Sequence, residues 1–422
     1  MAGDWTTSPL EDCMTVLIDY RGKTPQKTSF GIPLITAKIV KDGRIETPDE
    51  FIAVEDYELW MRRGIPKPGD VVITTEAPLG EVAQLGTERV ALAQRLIALR
   101  GKPGVLDNGF LKFLMQSGYV QDQLLARASG TTVLGIKQSE LRKVSLTLPP
   151  IEEQRAIACI LGTLDDKIEL NRRINETLEA MARALFKSWF VDFDPVRAKA
   201  EGRNPDLPKP LADLFPGSLV DTELGEIPKG WEVRTLADLS SLNPEIWSKK
   251  TRPDIIHYVD LSNTKWGRIE AVTSYGHRDA PSRAQRVLRP RDTIVGTVRP
   301  GNGSYTLIFE EGLTGSTGFA VLRPLRVEYA EFVYCAATTA ENIEALSHLS
   351  DGGAYPAVRP EVIAATQVVK PADHMIQRFS RITRPLLTKM AENERESHTL
   401  AALRDTLLPK LISGELRAPG TC

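Results

Sequence analysis

The strongest constraint in this sequence is a helix-forming segment that recurs 222 residues further along the chain. The correspondence is carried by residue pairs at one constant offset: Leu164 and Leu386, Asn171 and Asn393, and Leu185 and Leu407. The segments before these helices also correspond, since Pro68-Gly69-Asp70 matches Pro290-Arg291-Asp292. Repeat units of solenoid proteins are only about 20 to 50 residues long. A chain of 422 residues is therefore predicted to hold two copies of one domain, each followed by a long helix.

Composition is that of an ordinary globular protein. Hydrophobic residues make up 42% of the chain, charged residues 26%, and the net charge is −2. A surface that binds nucleic acid would therefore have to be a local basic face. The first residues lack a basic, apolar signal segment, and no apolar run approaches the roughly 18 residues that cross a bilayer. We expect a cytoplasmic protein with no membrane association.

Residues 1–150 are predicted to form a first mixed, strand-rich domain. Short β-branched runs such as Val71–Thr75 alternate with Gly, Pro and Asp, as strands and turns require. Lys41-Asp42-Gly43-Arg44 is predicted to be a tight hairpin, because Asp-Gly tolerates positive φ angles. A helix is expected from Asn108 to Leu125.

A long helix is predicted over residues 151–194. Apolar residues recur at steps of three and four, and neither Gly nor Pro interrupts Thr163–Asp194 before Pro195. Such a stripe favours packing on a partner helix. The second copy is predicted over residues 372–414, with Pro385 aligned beside Gly162, so each helix is expected to bend or restart there. We predict that the packing stripe contains Leu164, Ile168, Asn171, Leu178 and Leu185 in the first helix, and Leu386, Met390, Asn393, Leu400 and Leu407 in the second.

Two asparagines occupy equivalent positions on these apolar stripes. A buried Asn in a helix pair costs stability unless it finds a mate, and it then fixes the pairing register. Asn171 and Asn393 are therefore predicted to share one layer if the helices pack on each other. The alternative is that both face solvent at the edge of the stripe.

The remaining segments complete the division into domains. Residues 195–229 are rich in Pro, Gly, Asp and Lys and are predicted to be a connector. Residues 230–371 form the second domain, and residues 415–422 form a C-terminal tail.

The sequence contains no recognisable catalytic motif. Gly22-Lys23-Thr24 resembles the end of a phosphate-binding loop, but Leu17 stands where the first glycine should be. The five histidines show no metal-ligand spacing, and a Gly-x-Ser-x-Gly nucleophile turn is absent. We therefore expect neither catalytic residues nor a metal, and no cofactor.

Four segments carry a resemblance to a known family. They are Leu148–Ile157 with Leu164–Glu179, Phe186–Pro195, Ile227-Pro228-Lys229-Gly230-Trp231, and Leu408–Leu416. These runs closely resemble the specificity subunits of type I restriction-modification systems, and the likeness extends over the full length. It says little about individual DNA contacts, because the recognition domains vary within the family.

The resemblance implies an architecture and a set of partners. It implies an α+β fold in which two target-recognition domains, related as a pseudo-two-fold tandem repeat, are separated by two long antiparallel coiled-coil helices. Each domain would read one half of a bipartite, asymmetric double-stranded DNA site. The helices would act as spacer and would dock two methyltransferase (modification) subunits, and two restriction/translocase subunits would join the full complex. The chain itself would be non-catalytic.

Candidate DNA contacts follow from residue chemistry, since phosphates attract Lys and Arg, and base edges attract Arg, Lys, Asn and Gln. In the first domain the candidates are Arg21, Lys23, Thr24, Lys38, Gln94, Arg95, Thr131 and Lys137. In the second domain they are Trp247, Lys249, Lys250, Arg252, Lys265, Arg278, Arg283, Arg286 and Arg299. For each of them the alternative is a solvated surface residue.

Two other classes of protein fit parts of the sequence. A tandem-domain adaptor that binds protein instead of DNA would explain the paired helices and the nearly neutral charge. A self-sufficient nuclease or methyltransferase is disfavoured by the missing motifs. A steep loss of DNA affinity with salt would separate the specificity subunit from the adaptor.

Overall fold

The computed structural model describes residues 5–20, 25–223, 225–248, 251–350 and 356–418. Its contacts divide the chain into two compact units. The first unit contains Met1–Leu170 together with Glu396–Cys422, and the second contains Asn171–Arg395. Strands and helices are mixed along the chain, so the predicted α+β class is confirmed.

The first unit is built from short strands and helices. Its strands are β1 (Thr6–Pro9), β2 (Met14–Asp19), β3 (Ile32–Ile35), β4 (Val40–Lys41), β5 (Arg44–Ile45), β6 (Phe51–Ile52), β7 (Val71–Thr75), β8 (Leu79–Gln84), β9 (Ala91–Leu92), β10 (Leu96–Gly101) and β11 (Ser145–Leu148). Its short helices are α1 (Leu10–Cys13), α2 (Tyr57–Trp60), α3 (Asn108–Gln116), α4 (Gly118–Ala126) and α5 (Gln138–Leu141).

A four-stranded antiparallel sheet of order β2-β10-β7-β8 is the centre of the first unit. Side chains alternate between its faces, as strands require. Ile97 and Leu99 of β10 pack with α3 and α4 in one core, whereas Leu96 and Ala98 pack with β3 and β9 in another. The sheet is therefore covered on both faces, which explains the continuous apolar run in β7.

The hairpin prediction for Lys41–Arg44 is confirmed, but the helix predicted over Asn108–Leu125 is wrong as a single element. Asp42 and Gly43 have φ angles of 49° and 82° between β4 and β5. The helical segment is divided at Ser117, whose ψ of 147° is extended. The Ser117 hydroxyl accepts the backbone N–H of Val120 and so caps α4, which favours a second helix over one continuous helix.

Two 40-residue helices follow the strand-rich regions, α6 (Ile151–Phe190) and, at the end of the chain, α12 (Asp373–Ile412). Both are continuous at the positions where a bend or a restart was expected, so neither helix restarts at Gly162 or Pro385. Helix α6 ends at Phe190, four residues before the predicted end at Asp194. The reason is local, because Phe193 has a left-handed φ of 57° and its neighbour Asp194 opens the next helix.

The second unit contains the remaining elements. Its strands are β12 (Leu219–Thr222), β13 (Gly225–Pro228), β14 (Glu232–Thr235), β15 (Ser240–Leu242), β16 (Ile255–Val259), β17 (Thr264–Lys265), β18 (Arg268–Ile269), β19 (Thr273–Gly276), β20 (Ala284–Val287), β21 (Thr293–Gly296), β22 (Tyr305–Leu307), β23 (Leu313–Ser316), β24 (Phe319–Pro324) and β25 (Gln367–Lys370). Its short helices are α7 (Asp194–Ala200), α8 (Lys209–Ala212), α9 (Ala330–Ala337), α10 (Ala340–His348) and α11 (Pro360–Ala364).

Two four-stranded sheets organise this unit, with orders β15-β24-β21-β22 and β19-β16-β23-β20. The first sheet packs with α6, α9 and α12 around an aromatic cluster that contains Phe186, Trp189, Phe190, Phe332 and Phe379. Edge-to-face pairs in the cluster have centroid distances near 5 Å, as between Phe190 and Phe332 at 5.1 Å.

The segment predicted as a connector, residues 195–229, is folded onto the second unit. It forms α7, α8 and the β12–β13 hairpin. Phe215 is buried, and its ring packs edge-on against Trp189 with centroids 5.2 Å apart. Apolar residues within the segment therefore anchor it to the core of the second unit.

A buried aspartate closes the same turn in each unit. Asp70 accepts the backbone N–H of Lys67 at 2.8 Å and a bidentate pair from the Arg100 guanidinium at 2.6 and 2.7 Å. In the second unit Asp292 accepts the backbone N–H of Arg289 at 2.8 Å and a bidentate pair from Arg323 at 2.8 and 2.9 Å. Both aspartates are 1% exposed, so their charge is balanced by an ion pair.

Candidate functional site

Four of the candidate residues in the first unit surround two adjoining surface depressions. One depression has a volume of about 450 Å³ and is lined by Gln94, Arg95 and Lys137. The other has a volume of about 260 Å³ and is lined by Gln94, Arg95 and Lys38. Because Gln94 and Arg95 line both, they lie on the ridge between them. A polar, cationic surface of this kind can hold an anionic or hydrogen-bonding ligand.

The ridge is held in place by the turn that connects β9 to β10. Arg95 has a left-handed φ of 72°, which is uncommon for a residue with a side chain. Its backbone carbonyl accepts the N–H of Thr75 at 2.8 Å, and its guanidinium lies 3.7 Å from the Glu76 carboxylate. Both side chains of this ion pair are nearly half exposed. Backbone strain and a fixed carboxylate therefore set the position of an accessible guanidinium.

The two lysines of this surface have different electrostatic environments. Lys38 forms ion pairs with Glu50 at 3.0 Å and Asp49 at 3.2 Å. The hydrogen bonds that Lys38 donates to these carboxylates, to Glu50 first, raise its pKa. Lys137 is exposed, and within the described ranges no carboxylate lies within ion-pair distance of it. Lys137 is therefore the less compensated cation.

The loop that contains Thr131 closes the other side of the larger depression. Ser129 and Gly135 exchange backbone hydrogen bonds of 2.8 and 2.9 Å, and Thr131 is exposed between them. Gly135 pairs with Glu76, which fastens the loop to the end of β7. The candidates Arg21, Lys23 and Thr24 lie outside the described residues.

In the second unit, residues 245–248 and Arg252 lie beside the edge strand β20. The backbone N–H of Trp247 donates to the carbonyl of Gln285 at 2.8 Å, and its indole N–H donates to Thr314 Oγ1 at 2.9 Å. Arg252 donates to the carbonyls of Pro281 and Ala284 at 3.0 and 3.2 Å. Trp247 is therefore partly a structural residue. Lys249 and Lys250 lie outside the described residues.

The predicted arginine cluster separates into paired and unpaired members. Arg283 forms an ion pair with Asp260 at 2.8 Å and donates to the Tyr258 hydroxyl. Arg278 is exposed. Arg286 is partly buried. Burial lowers the pKa of its guanidinium and is the largest cause of this shift. The cluster is therefore not one uniform basic face.

Two further candidates lie elsewhere in the second unit. Lys265 sits in the β17–β18 hairpin, 3.7 Å from the Glu270 carboxylate. Arg299 is exposed and has a left-handed φ of 47°, and its backbone N–H donates to the carbonyl of Pro356 at 2.8 Å. Each therefore occupies an accessible position with its backbone fixed.

Three buried asparagines join α6 to α12 inside the second unit. Asn171 Nδ2 donates to the backbone carbonyl of Asn393 at 3.3 Å, and Asn393 Nδ2 donates to Asn175 Oδ1 at 2.8 Å. Asn175 Nδ2 in turn donates to the carbonyl of Met390 at 3.1 Å. Residues that come later in α6 contact residues that come earlier in α12, so the two segments run antiparallel here. The analysis of the sequence missed Asn175, although it lies four residues after Asn171 on the same helical face.

Five of the other predicted helix-packing residues contribute to the cores of their own units. Met390 is buried in the second unit, and three partly buried leucines pack against the same core: Leu178, Leu185 and Leu386. Leu407 packs against the core of the first unit. Leu164, Ile168 and Leu400 are partly buried. Other apolar residues of these helices are more completely buried in the second unit. They include Ala182, Phe186 and Leu387, which were not among the predicted packing residues.

The part of the chain that the structure describes contains neither a metal-binding cluster nor a helix that could span a membrane. No group of three or more His, Cys, Asp or Glu side chains there could hold a metal ion. No helix there is long and apolar enough to cross a membrane.

The chain is similar to several known proteins. Residues 2–180 match the family model described as the type I restriction modification DNA specificity domain. The chain is 27% identical to the MjaIX specificity subunit from Methanocaldococcus jannaschii, over 98% of this chain and 94% of that protein. It is also 27% identical to the HindI specificity subunit from Haemophilus influenzae, over 70% of this chain and 74% of that protein.

A solved structure shares the fold. The S subunit of a type I restriction-modification system from M. genitalium superposes with a TM-score of 0.58 at 18% identity, over 97% of this chain and 96% of that one. The matched domain and these relatives show that the chain is similar to type I restriction-modification specificity subunits.

Proposed function

We propose that this chain selects the DNA sequence on which a type I restriction-modification complex acts, with each unit reading one half of a bipartite site. The observation that carries the proposal is the surface of the first unit on which Gln94, Arg95 and Lys137 meet. These side chains have the donors and charge that base edges and phosphates require. The names of the full-length relatives support the same function.

The second part of the proposal is that the two units are copies of one recognition domain, related by a pseudo-two-fold repeat. The matching turns support it, since Asp70 binds Arg100 and a turn N–H in one unit as Asp292 binds Arg323 and a turn N–H in the other. The sheet orders β2-β10-β7-β8 and β15-β24-β21-β22 support it as well. Two diverged copies would read two different half-sites.

The third part of the proposal is that α6 and α12 form an antiparallel coiled coil. This coiled coil would set the spacer length and dock methyltransferase subunits. Each helix of 40 residues is about 60 Å long at about 1.5 Å per residue. One turn of duplex is about 34 to 36 Å. A rod of this length is sufficient to separate two half-sites by one turn or more.

The complex would contain two methyltransferase subunits for modification and two restriction/translocase subunits for cleavage. The specificity chain would contribute no catalytic residue, and it would act in the cytoplasm, where these partners meet DNA. Its contribution to the reaction is positional, because it would hold a methyltransferase subunit at the target adenine.

The experiment reconstitutes the full chain with its methyltransferase subunits and maps methylated adenines on genomic DNA by single-molecule sequencing. We expect one bipartite motif with a fixed spacer, and no methylation by the chain alone. DNA affinity should fall steeply with salt, because phosphate contacts release counterions. A complex that assembles but does not bind DNA would favour the protein-binding adaptor, and methylation by the purified chain would contradict a non-catalytic role.

A further inference from the structure

Two arginines of the second unit, Arg252 and Arg286, differ from the arginines around them. In the portion of the chain that the structure describes, neither has a carboxylate within ion-pair distance. The neighbouring arginines are each compensated by an acid: Arg283 by Asp260 at 2.8 Å, Arg289 by Glu245 at 2.9 Å and Arg291 by Glu331 at 2.7 Å. Arg252 and Arg286 therefore differ from these three arginines in having no acid partner among the described residues.

The burial of Arg286 without an acid partner costs stability. Its Nε is buried and has no hydrogen-bond partner, and the side chain is only partly exposed. Burial lowers the pKa of the guanidinium, and the one opposing influence is the carboxylate of Glu361 on α11. A desolvated charge without a partner costs free energy that packing alone does not return. A ligand that supplies negative charge would remove that cost.

The backbone around Arg286 positions the group. The pairing of β20 with β23 shifts register between Ala284 and Arg286, which leaves Gln285 as an extra residue. Such a bulge turns the side chains beside it and recurs next to binding sites. The opposite flank is closed by Ile246, which forms an isolated bridge with Arg286.

Arg252 adds a second fixed guanidinium beside this strand. Its Nη2 donates to the carbonyls of Pro281 and Ala284, and Ala284 lies two residues before Arg286. The Nε of Arg252 is buried and has no hydrogen-bond partner, as in Arg286. A guanidinium has five N–H donors, so both arginines keep donors for a ligand. The hydrogen bonds of Arg252 hold its guanidinium in place before an anion arrives.

We propose that Arg252 and Arg286 form a binding site for a phosphodiester group of the DNA backbone. The proposal rests on the proposed function, and it assigns a chemical role that the sequence alone does not give. A partly buried side chain does not reach the floor of a groove, whereas phosphates lie on the outside of the duplex. Guanidinium groups match the geometry of phosphate oxygens. The site therefore fixes the register of the second unit on DNA without reading a base.

The test uses the full chain with its methyltransferase subunits and the variants Arg286→Gln and Arg286→Lys. For Arg286→Gln we expect weaker DNA binding and a salt slope smaller by about 0.9, the value for one lost phosphate contact. The methylated sequence motif should stay unchanged. Arg286→Lys should recover part of the affinity, because it restores a charge without the planar fork.

Thermal stability separates this role from a structural one. Arg286→Gln is expected to keep or raise the Tm, because it removes an uncompensated charge. The matched control is Arg289→Gln, which removes an exposed arginine that is paired with Glu245. The control should leave the salt slope unchanged. A lower Tm for Arg286→Gln together with an unchanged salt slope would identify Arg286 as a structural residue and overturn the proposal.

Failure of this proposal can be distinguished from failure of the proposed function. If the wild-type complex binds DNA and Arg286→Gln binds with the same affinity and salt slope, the phosphate site is wrong and the specificity function stands. If the wild-type complex does not bind DNA, the specificity function is wrong, and inorganic phosphate becomes the deciding probe. A rise in wild-type Tm with phosphate that Arg286→Gln abolishes then supports the anion site, and equal behaviour of both chains overturns it.

Discussion

Asn393 on α12 donates a side-chain hydrogen bond of 2.8 Å to the side-chain oxygen of Asn175 on α6, and both residues are at most 2% exposed. The bond joins residues that are 218 positions apart in the sequence. Because a buried amide is stable only when it is hydrogen-bonded, this contact defines which residues of the two helices lie opposite each other.

Asn393→Ala should destabilise the second unit by about 1–3 kcal/mol, because it leaves the Asn175 amide oxygen buried without its donor. Chemical denaturation of the full chain measures this change. Glu392→Ala, at an exposed position on the same helix, is the control and should change stability by less than about 0.5 kcal/mol. Equal effects of the two substitutions would show that the Asn pair contributes nothing specific.

Replacement of both partners tests the same pair in a different way. Asn175→Leu with Asn393→Leu should be less destabilising than the sum of the two single changes, since no amide of the pair is then left without its partner. A double-mutant cycle gives the coupling free energy. Additive effects would contradict a direct interaction between the two side chains.

Glu394 gives the second unit a pH-dependent stability. The pKa of Glu394 is raised to about 7 from its ordinary value of 4.5, and burial is the largest cause. Arg268 opposes this shift, whereas the carboxylates of Glu179 and Glu310 add to it. A raised carboxyl pKa favours the protonated folded state. The stabilisation is fully present below about pH 4.5 and is lost as pH rises through about 7.

The expected consequence is that Glu394→Gln stabilises the chain at pH 8 by about 1–2 kcal/mol and loses this advantage at pH 4. Thermal denaturation as a function of pH measures it. Glu392→Gln, an exposed carboxylate on the same helix, shows whether any such change on α12 has the same effect. A Glu394→Gln chain whose Tm follows the wild-type pH profile would contradict the raised pKa of Glu394.

Glu331 should be among the most sensitive positions of the second unit. Its carboxylate is 1% exposed and forms ion pairs with Arg291 at 2.7 Å and Arg384 at 3.0 Å. Ser380 donates to it as well. Glu331→Gln removes the charge that two guanidinium groups share, and we expect a loss of about 3 kcal/mol in denaturation experiments. A loss below about 1 kcal/mol would show that solvent compensates both arginines.

Arg95 is expected to carry sequence discrimination in the first half-site. Arg95→Ala should reduce methylation at the native site at least about tenfold, because one good base contact is worth about 1–3 kcal/mol. Arg155→Ala is the control, since Arg155 is an exposed arginine of the same unit that pairs with Glu152. Methylation of a randomised site library measures both. A normal motif in the Arg95→Ala library would remove this residue from recognition.

Spacer length should respond to the length of the helices. One heptad inserted after Leu170 and one after Arg395 lengthen α6 and α12 together by about 10.5 Å each, at about 1.5 Å per residue. A longer preferred spacer is expected, and sequencing of methylated adenines measures it. Seven Ala-rich residues inserted into the exposed turn at Gly202 are the control and should leave the spacer unchanged. An unaltered spacer after the helical insertions would exclude the ruler model.

The two long helices were the part of the structure that the sequence predicted best. Their register of apolar positions is local, because it depends on spacings of three and four along one segment. Their continuity was underestimated at Gly162 and Pro385, where composition suggested a break. Helix ends were also less certain, since the end of α6 depends on the left-handed Phe193 and the aromatic core around it.

The candidate site was predicted less completely. Residue type alone made Arg283 and Arg286 equal candidates for binding DNA. The structure separates them, because Arg283 is bound to Asp260, whereas Arg286 has no acid partner among the described residues. No spacing rule indicates such pairs.

The sequence by itself determined the recurrence of matching residues 222 positions apart, the two amphipathic helices, the α+β class and the family resemblance, because each depends on residue order and short-range periodicity. The tertiary structure decided which charges are free and which are neutralised. It gave Asn175 as the partner of Asn393, and it left Arg252 and Arg286 without carboxylates among the described residues. The physical reason is that electrostatic compensation depends on distance in space, which chain folding sets independently of distance along the sequence.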